Sequence, residues 1–96
     1  MWSRIVERLN SGEIVEINPK GGSMTPLILS GQSVEIWPIA DHAALKVGDV
    51  VLAKVKGRFY LHLISAIAHD RIQISNNHGH VNGWTDISKI YGWVNI

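Results

Sequence analysis

Gly21-Gly22-Ser23-Met24-Thr25-Pro26 is the segment of this chain best suited to chemistry. A nucleophilic serine must project its hydroxyl while neighbouring backbone closes on the substrate carbonyl. Gly22 before it permits unusual φ and a close approach. Pro26 stiffens the segment and keeps Thr25 extended. Backbone N–H groups of the bend, at Ser23 and neighbours such as Met24, are then candidates for an oxyanion hole. A serine hydroxyl is inert at neutral pH unless a base lies within hydrogen-bond reach. Lysine would serve only where burial strips its proton. Histidine needs no such shift, since its ordinary pKa of about 6.5 already suits proton transfer. The other arrangement with chemical potential is His78-Gly79-His80. Two histidines at i and i+2 on an extended segment can face one metal ion, with His42, His62 or His69 to complete the set. Nothing fixes a third ligand, and a turn around Gly79 explains the segment without metal. No metal and no cofactor are expected.

Around these residues the chain reads mostly as strand and turn. Trp2, Ile5, Val6 and Leu9 recur at helical spacing, and Asn10-Ser11-Gly12 ends the pattern, so residues 1–11 form a short amphipathic helix and residues 12–96 a β-rich body. "EIVEI" and "SVEIWPI" are the first strands, the second limited by Pro38. "DHAALKVGD" is a loop whose Val47-Gly48-Asp49 turn leads into "VVLAKV". "VVLAKV-KG-RFYLHLISAI" is a hairpin around Lys56-Gly57. In that register Val55 faces Arg58, Ala53 faces Tyr60 and Val51 faces His62. His62 then shares a side with Tyr60, Ile64, Val51 and Ala53, while Phe59, Leu61, Leu63, Leu52 and Val50 take the other. "RIQIS" is a further strand, "NNHGHVNGWT" a polar loop, and "ISKIYGWVNI" a last strand kinked near Gly92. Many short strands punctuated by Gly and Pro imply a mostly β fold, a small barrel or sandwich.

The 96 residues suffice for one domain, and 46% apolar content supplies a modest core. Without cysteine, neither disulfides nor thiolate metal sites support it. A formal charge of +1, spread along the chain, argues against a dedicated nucleic-acid surface. No apolar run approaches the roughly 18 residues of a membrane span. The charged start "MWSRIVERLNSGE" is no signal peptide. A soluble, cytoplasmic protein is the expectation. Lys54, Lys56 and Arg58 read as a solvated rim, and Trp2, Trp37, Trp84 and Trp93 as core or rim anchors.

In order, "GGSMTPLILSGQSVEIWP", "LKVGDVVLAKV", "FYLHLISAI" and "IQISNNHGHVNGWTDISKIYGWV" resemble successive blocks of the superfamily of type I signal peptidases and LexA-like self-cleaving repressors. The likeness runs from about Gly12 onward. Its most specific part is Gly-x-Ser-Met-x-Pro, then Gly-x-x-Val, then Val-Gly-Asp-Val-Val. The resemblance implies a small, partly open β-barrel preceded by the helix. It makes Ser23 the nucleophile and His62 the general base, in the manner of the family's histidine branch; Lys89 sits in the wrong block for that role. That branch has an aspartate near the block reading Ser75-Asn76-Asn77 here, which leaves Asn77 or Asp86 as candidate third member. It also has arginine where Leu63 stands. Signal peptidases carry a membrane anchor, and the repressors a DNA-binding domain, ahead of the serine; here only the short helix stands there. The chain thus resembles the bare peptidase domain, a form that would suit a phage, prophage or mobile-element product.

Two functions follow. One is a serine endopeptidase cleaving an extended peptide with a Ser23–His62 dyad, with small side chains at the cleavage point as the family implies. The other is a binding module that keeps the fold without the chemistry and grips a host or phage protein through the same groove. The retained serine and histidine favour the first; the missing aspartate and anchor favour the second. A transcriptional repressor is disfavoured, because no helix-turn-helix pattern is present.

Overall fold

A computed structural model describes the whole chain, Met1 to Ile96. Helix α1 spans Trp2–Asn10 and buries Ile5 and Leu9, the inner face of the 3.6-residue pattern. It stops where Ser11 and Gly12 donate back to carbonyls of its last turn, with Gly12 in the left-handed region (φ 88°) that glycine occupies without strain.

Seven strands follow: β1 (Val15–Ile17), β2 (Val34–Trp37), β3 (Val50–Val55), β4 (Arg58–Ala68), β5 (Arg71–Ser75), β6 (Val81–Asp86) and β7 (Ile90–Asn95). They form one antiparallel sheet in the order β1-β2-β7-β3-β4-β5-β6. The β3–β4 hairpin has the register read from sequence, Val55 opposite Arg58 and Val51 opposite His62. Both turn residues have positive φ, Lys56 at 50° and Gly57 at 82°, the conformation whose twist matches that of paired strands.

β3 is buried on both faces because a core lies on each side of it. Val50 and Leu52 join Leu61, Ile36, Met24 and the helix residues Ile5 and Leu9. Val51, Ala53 and Val55 join Ile64, Ile72, Ile74 and Ile90. The faces assigned by alternation are thus the faces buried. β4 pairs with β3 over its first half and with β5 over its second, and a bulge between Ile64 and Ala66 bends it. The sheet coils enough for buried Thr85 of β6 to donate to the Lys54 carbonyl of β3 at 2.7 Å.

No ladder joins β1 to β6, so the sheet is open; β6 meets β3 by a side-chain hydrogen bond. The second half of "NNHGHVNGWT" is strand β6 rather than loop, because residues 81–86 pair along the outer edge of β5. Its polar residues obscured the alternation. The chain also makes two short 3-10 turns, His42–Ala44 and Ile87–Lys89. No helix is long and apolar enough to cross a membrane.

The tryptophans are rim residues rather than core. Trp37 and Trp93 pack with ring centroids 6.0 Å apart, and Trp84 is exposed. The kink expected near Gly92 is a bulge, where Leu52 pairs with Gly92 but Ala53 pairs with Ile90. Close packing, not φ, demands glycine there: a Cβ would lie 2.6 Å from Ile36 Cγ2 and 3.0 Å from the Trp37 carbonyl. Gly92→Ala should therefore destabilise the fold by roughly 1–3 kcal/mol through overpacking. A lowered denaturant midpoint at unchanged slope checks this; an unchanged midpoint would mean the sheet yields at no cost.

Candidate active site

Ser23 sits on the exposed crest of a turn that two buried side chains anchor. Met24 and Ile28 insert into the helix-side core, and the Ile28 amide donates to the Met24 carbonyl at 2.9 Å. The alternation of buried and exposed positions leaves the Ser23 hydroxyl outside. His62 arrives from β4, in mid-strand, where the ladder to β3 fixes its backbone and Tyr60 packs beside its ring at 5.2 Å between centroids.

These two side chains, 39 residues apart, meet: Ser23 Oγ lies 3.1 Å from His62 Nε2. On the far side of the ring, Asn82 Oδ1 lies 2.7 Å from Nδ1. An amide oxygen only accepts, so Nδ1 carries the proton and Nε2 presents its lone pair to the serine hydroxyl. That tautomer is the one a general base requires. Burial pushes the His62 pKa below its ordinary 6.5, the Asn82 hydrogen bond opposes the shift, and the charge of nearby His80 adds to it. The ring is therefore neutral at neutral pH.

Asn82 owes its position to an irregularity. Ile74 pairs with Gly83 but Ser75 pairs with Val81, so Asn82 is an extra residue in β6. A bulge re-aims a side chain out of the strand's alternation. Asn77 and Asp86, the two third-member candidates, are elsewhere. The Asn77 side chain donates to the Thr25 carbonyl at 3.0 Å and its backbone N–H to the Ser23 carbonyl at 2.8 Å, so it holds the serine turn and not the imidazole. Asp86 pairs with Arg71, which pairs with Ala68, six residues along β4 from His62 and so roughly 20 Å away. Its carboxylate accepts from the Ser88 amide, which holds its pKa below the usual range, and it caps a 3-10 turn.

Gly22, Ser23, Met24 and Pro26 lie in the bend and turn that carry the hydroxyl. The amide N–H groups of Ser23 and Met24 donate to no acceptor of the chain, which leaves two adjacent donors beside the hydroxyl. His78, weighed as a metal ligand, donates from Nε2 to the Gly22 carbonyl at 2.8 Å, and its ring lies 3.1 Å from Thr25 Oγ1. No three of the His, Asp and Glu side chains converge as a metal site would require.

Next to the dyad runs a cleft of about 170 Å³, walled by Met24, Ile28, Phe59 and Leu61 among others, with Ser23 and His62 in its lining. One wall carries unpaired backbone. Val55 and Arg58 close the hairpin as a hydrogen-bonded pair, so Arg58, Tyr60 and His62 turn their N–H and C=O groups to β3, while Phe59 and Leu61 turn theirs away. Pairing with β5 starts only at Leu63, which leaves that edge open beside Ser23. Lys54 Nζ lies over the Phe59 ring, 5.1 Å from its centroid.

Comparison with protein-family models gives no match, and comparisons with curated proteins and with solved structures give none either.

Proposed function

We propose that this protein is a serine endopeptidase of the signal-peptidase and LexA-like kind, in which Ser23 is the nucleophile, His62 the base and Asn82 the group that orients it. The observation that carries the reading is the 3.1 Å approach of Ser23 Oγ to His62 Nε2 across 39 residues of sequence. The coiled open sheet is taken as the partly open barrel of that superfamily. A substrate peptide lies extended in the cleft and bonds to the free backbone groups of Phe59 and Leu61, adding a strand to β4. Ser23 Oγ attacks the scissile carbonyl carbon as His62 Nε2 takes the hydroxyl proton. The carbonyl oxygen becomes an oxyanion that accepts from the Ser23 and Met24 amides. His62 then gives its proton to the leaving amine as the C–N bond breaks. Water attacks the resulting ester, again with His62 as base, and frees Ser23.

A second reading has one specific feature in its favour. Asn82 is neutral, and a neutral amide stabilises imidazolium less than a carboxylate would. The same cleft would then hold a partner protein without cutting it.

A fluorophosphonate probe separates the two. For the peptidase, the probe adds covalently to the wild type, and mass spectrometry maps the adduct to the peptide containing Ser23. Absence of an adduct, with a partner held equally tightly by wild type and Ser23→Ala, would instead leave the binding module.

A further inference from the structure

Behind Ser23 the segment Asn77-His78 is joined to the turn by hydrogen bonds in a particular order. The Gly22 carbonyl accepts from His78 Nε2 at 2.8 Å, from the Thr25 hydroxyl at 2.9 Å and from the Thr25 backbone N–H at 3.3 Å. The next carbonyl, Ser23, accepts from the Asn77 backbone N–H at 2.8 Å. The carbonyl after Met24, that of Thr25, accepts from the Asn77 side chain at 3.0 Å. A planar trans peptide points its C=O and N–H in opposite directions. Fixing the Gly22 oxygen therefore aims the Ser23 N–H the other way, and fixing the Ser23 oxygen does the same for the Met24 N–H. These are the two amides that lack a partner in the chain.

The first of these planes has the greater need of a clasp. It follows Gly21 and Gly22, and Gly21 already sits at φ 104°. A Cβ on either glycine would meet nothing within 4 Å, so neither glycine is wedged by a neighbouring side chain. Glycine gives the freedom to flip; of the three donors on the Gly22 carbonyl, His78 makes the shortest bond and is the one from outside the turn.

We infer that His78 is a positioning residue, whose ring holds the Gly22–Ser23 peptide plane so that the Ser23 N–H stays aimed at the developing oxyanion. The inference rests on the peptidase reading for its kinetic consequence, but not for its structural one. His78 touches no reacting atom. Its Nε2–H is the donor that the Gly22 carbonyl requires.

The test compares wild type, His78→Ala and His78→Gln. A glutamine amide offers an N–H near the place of Nε2. His78→Ala should lower kcat for an internally quenched peptide by roughly 10- to 100-fold with KM little changed, because oxyanion contacts form only in the transition state. His78→Gln should restore most of that loss. Independently of catalysis, the residual dipolar coupling of the Ser23 N–H should change in His78→Ala, while couplings in β3 and β4 stay as in wild type. An unchanged Ser23 coupling would overturn the inference whether or not the protein cleaves peptides. So would an altered coupling that spreads through β3 and β4, which would mark His78 as a general support of the fold. A wild type that neither labels nor cleaves, with the Ser23 coupling still dependent on His78, would end the peptidase reading and leave the clasp standing.

Discussion

Alanine at Ser23 should abolish both phosphonate labelling and peptide cleavage, and alanine at His62 should slow acylation by roughly 10²- to 10⁴-fold, the range a positioned general base contributes. The two effects differ for a chemical reason. Without Oγ no atom can form the ester. Without the imidazole the hydroxyl and the oxyanion donors remain, so a residual rate survives. Neither change should unfold the protein: Ser23 is exposed, and His62 is only partly buried at a strand position whose ladder the backbone maintains. Circular dichroism and thermal unfolding of both variants would separate lost chemistry from lost structure. The pH dependence carries the sign of the His62 shift. Only neutral imidazole takes a proton, so the rate should be level at neutral pH and fall on acidification. The midpoint should lie below 6.5, because burial and the His80 charge disfavour the imidazolium more than the Asn82 bond favours it. Stability moves in the same direction. A folded pKa below the unfolded value means that His62 contributes fully above 6.5, and that this contribution is lost as pH falls through the folded pKa. A midpoint above 6.5, or a rate indifferent to His62→Ala, would remove His62 as the base.

What could be read from sequence divides along the physics of each signal. The β3–β4 hairpin was legible down to register because its signals agree: Lys56-Gly57 prescribes the turn, and alternation on each side prescribes the faces. Register in turn placed His62 on a defined face. That Ser23 would meet it came only from the resemblance, since no local pattern encodes a contact between residues 39 positions apart. Asn82 was missed because two signals failed together. It lies in a stretch whose Asn, Gly and His content reads as loop, although pairing with β5 makes it strand. Its side chain is also aimed by a bulge, which breaks the period of two on which face assignment depends. Asn77, a candidate partner of the imidazole by the resemblance, bonds instead to Thr25. The one trace in sequence was Asn82-Gly83: Gly83, at φ 138°, adopts a conformation that side chains rarely allow and so marks an irregular strand. Sheet closure was equally illegible, because the order β1-β2-β7-β3 depends on where the last strand inserts and not on any local preference.

Asn82 carries the second large prediction, and it runs in both directions. Alanine there should slow acylation by roughly 10²-fold, since loss of the 2.7 Å bond frees the ring to rotate and to carry its proton on Nε2, where it cannot accept from Ser23. Aspartate should do the opposite. A carboxylate accepts the same Nδ1–H and adds a charge that favours imidazolium, the species present when the oxyanion forms. A charge-assisted hydrogen bond exceeds a neutral one by about 1–1.5 kcal/mol, so Asn82→Asp should raise the limiting rate about tenfold. It should also move the acid limb of the rate profile upward in pH, because the new charge works against desolvation of the ring. Labelling rates of the three proteins from acid to neutral pH would check both effects. The combination is diagnostic of geometry. An asparagine that only fills space beside β4 would give small changes of the same sign for both substitutions. An orienting group gives a loss with alanine and a gain with aspartate, and the gain requires the imidazole to take up positive charge during the reaction. If Asn82→Asp left rate and pH profile alone while the serine still labelled, proton transfer would have to pass through some group other than His62.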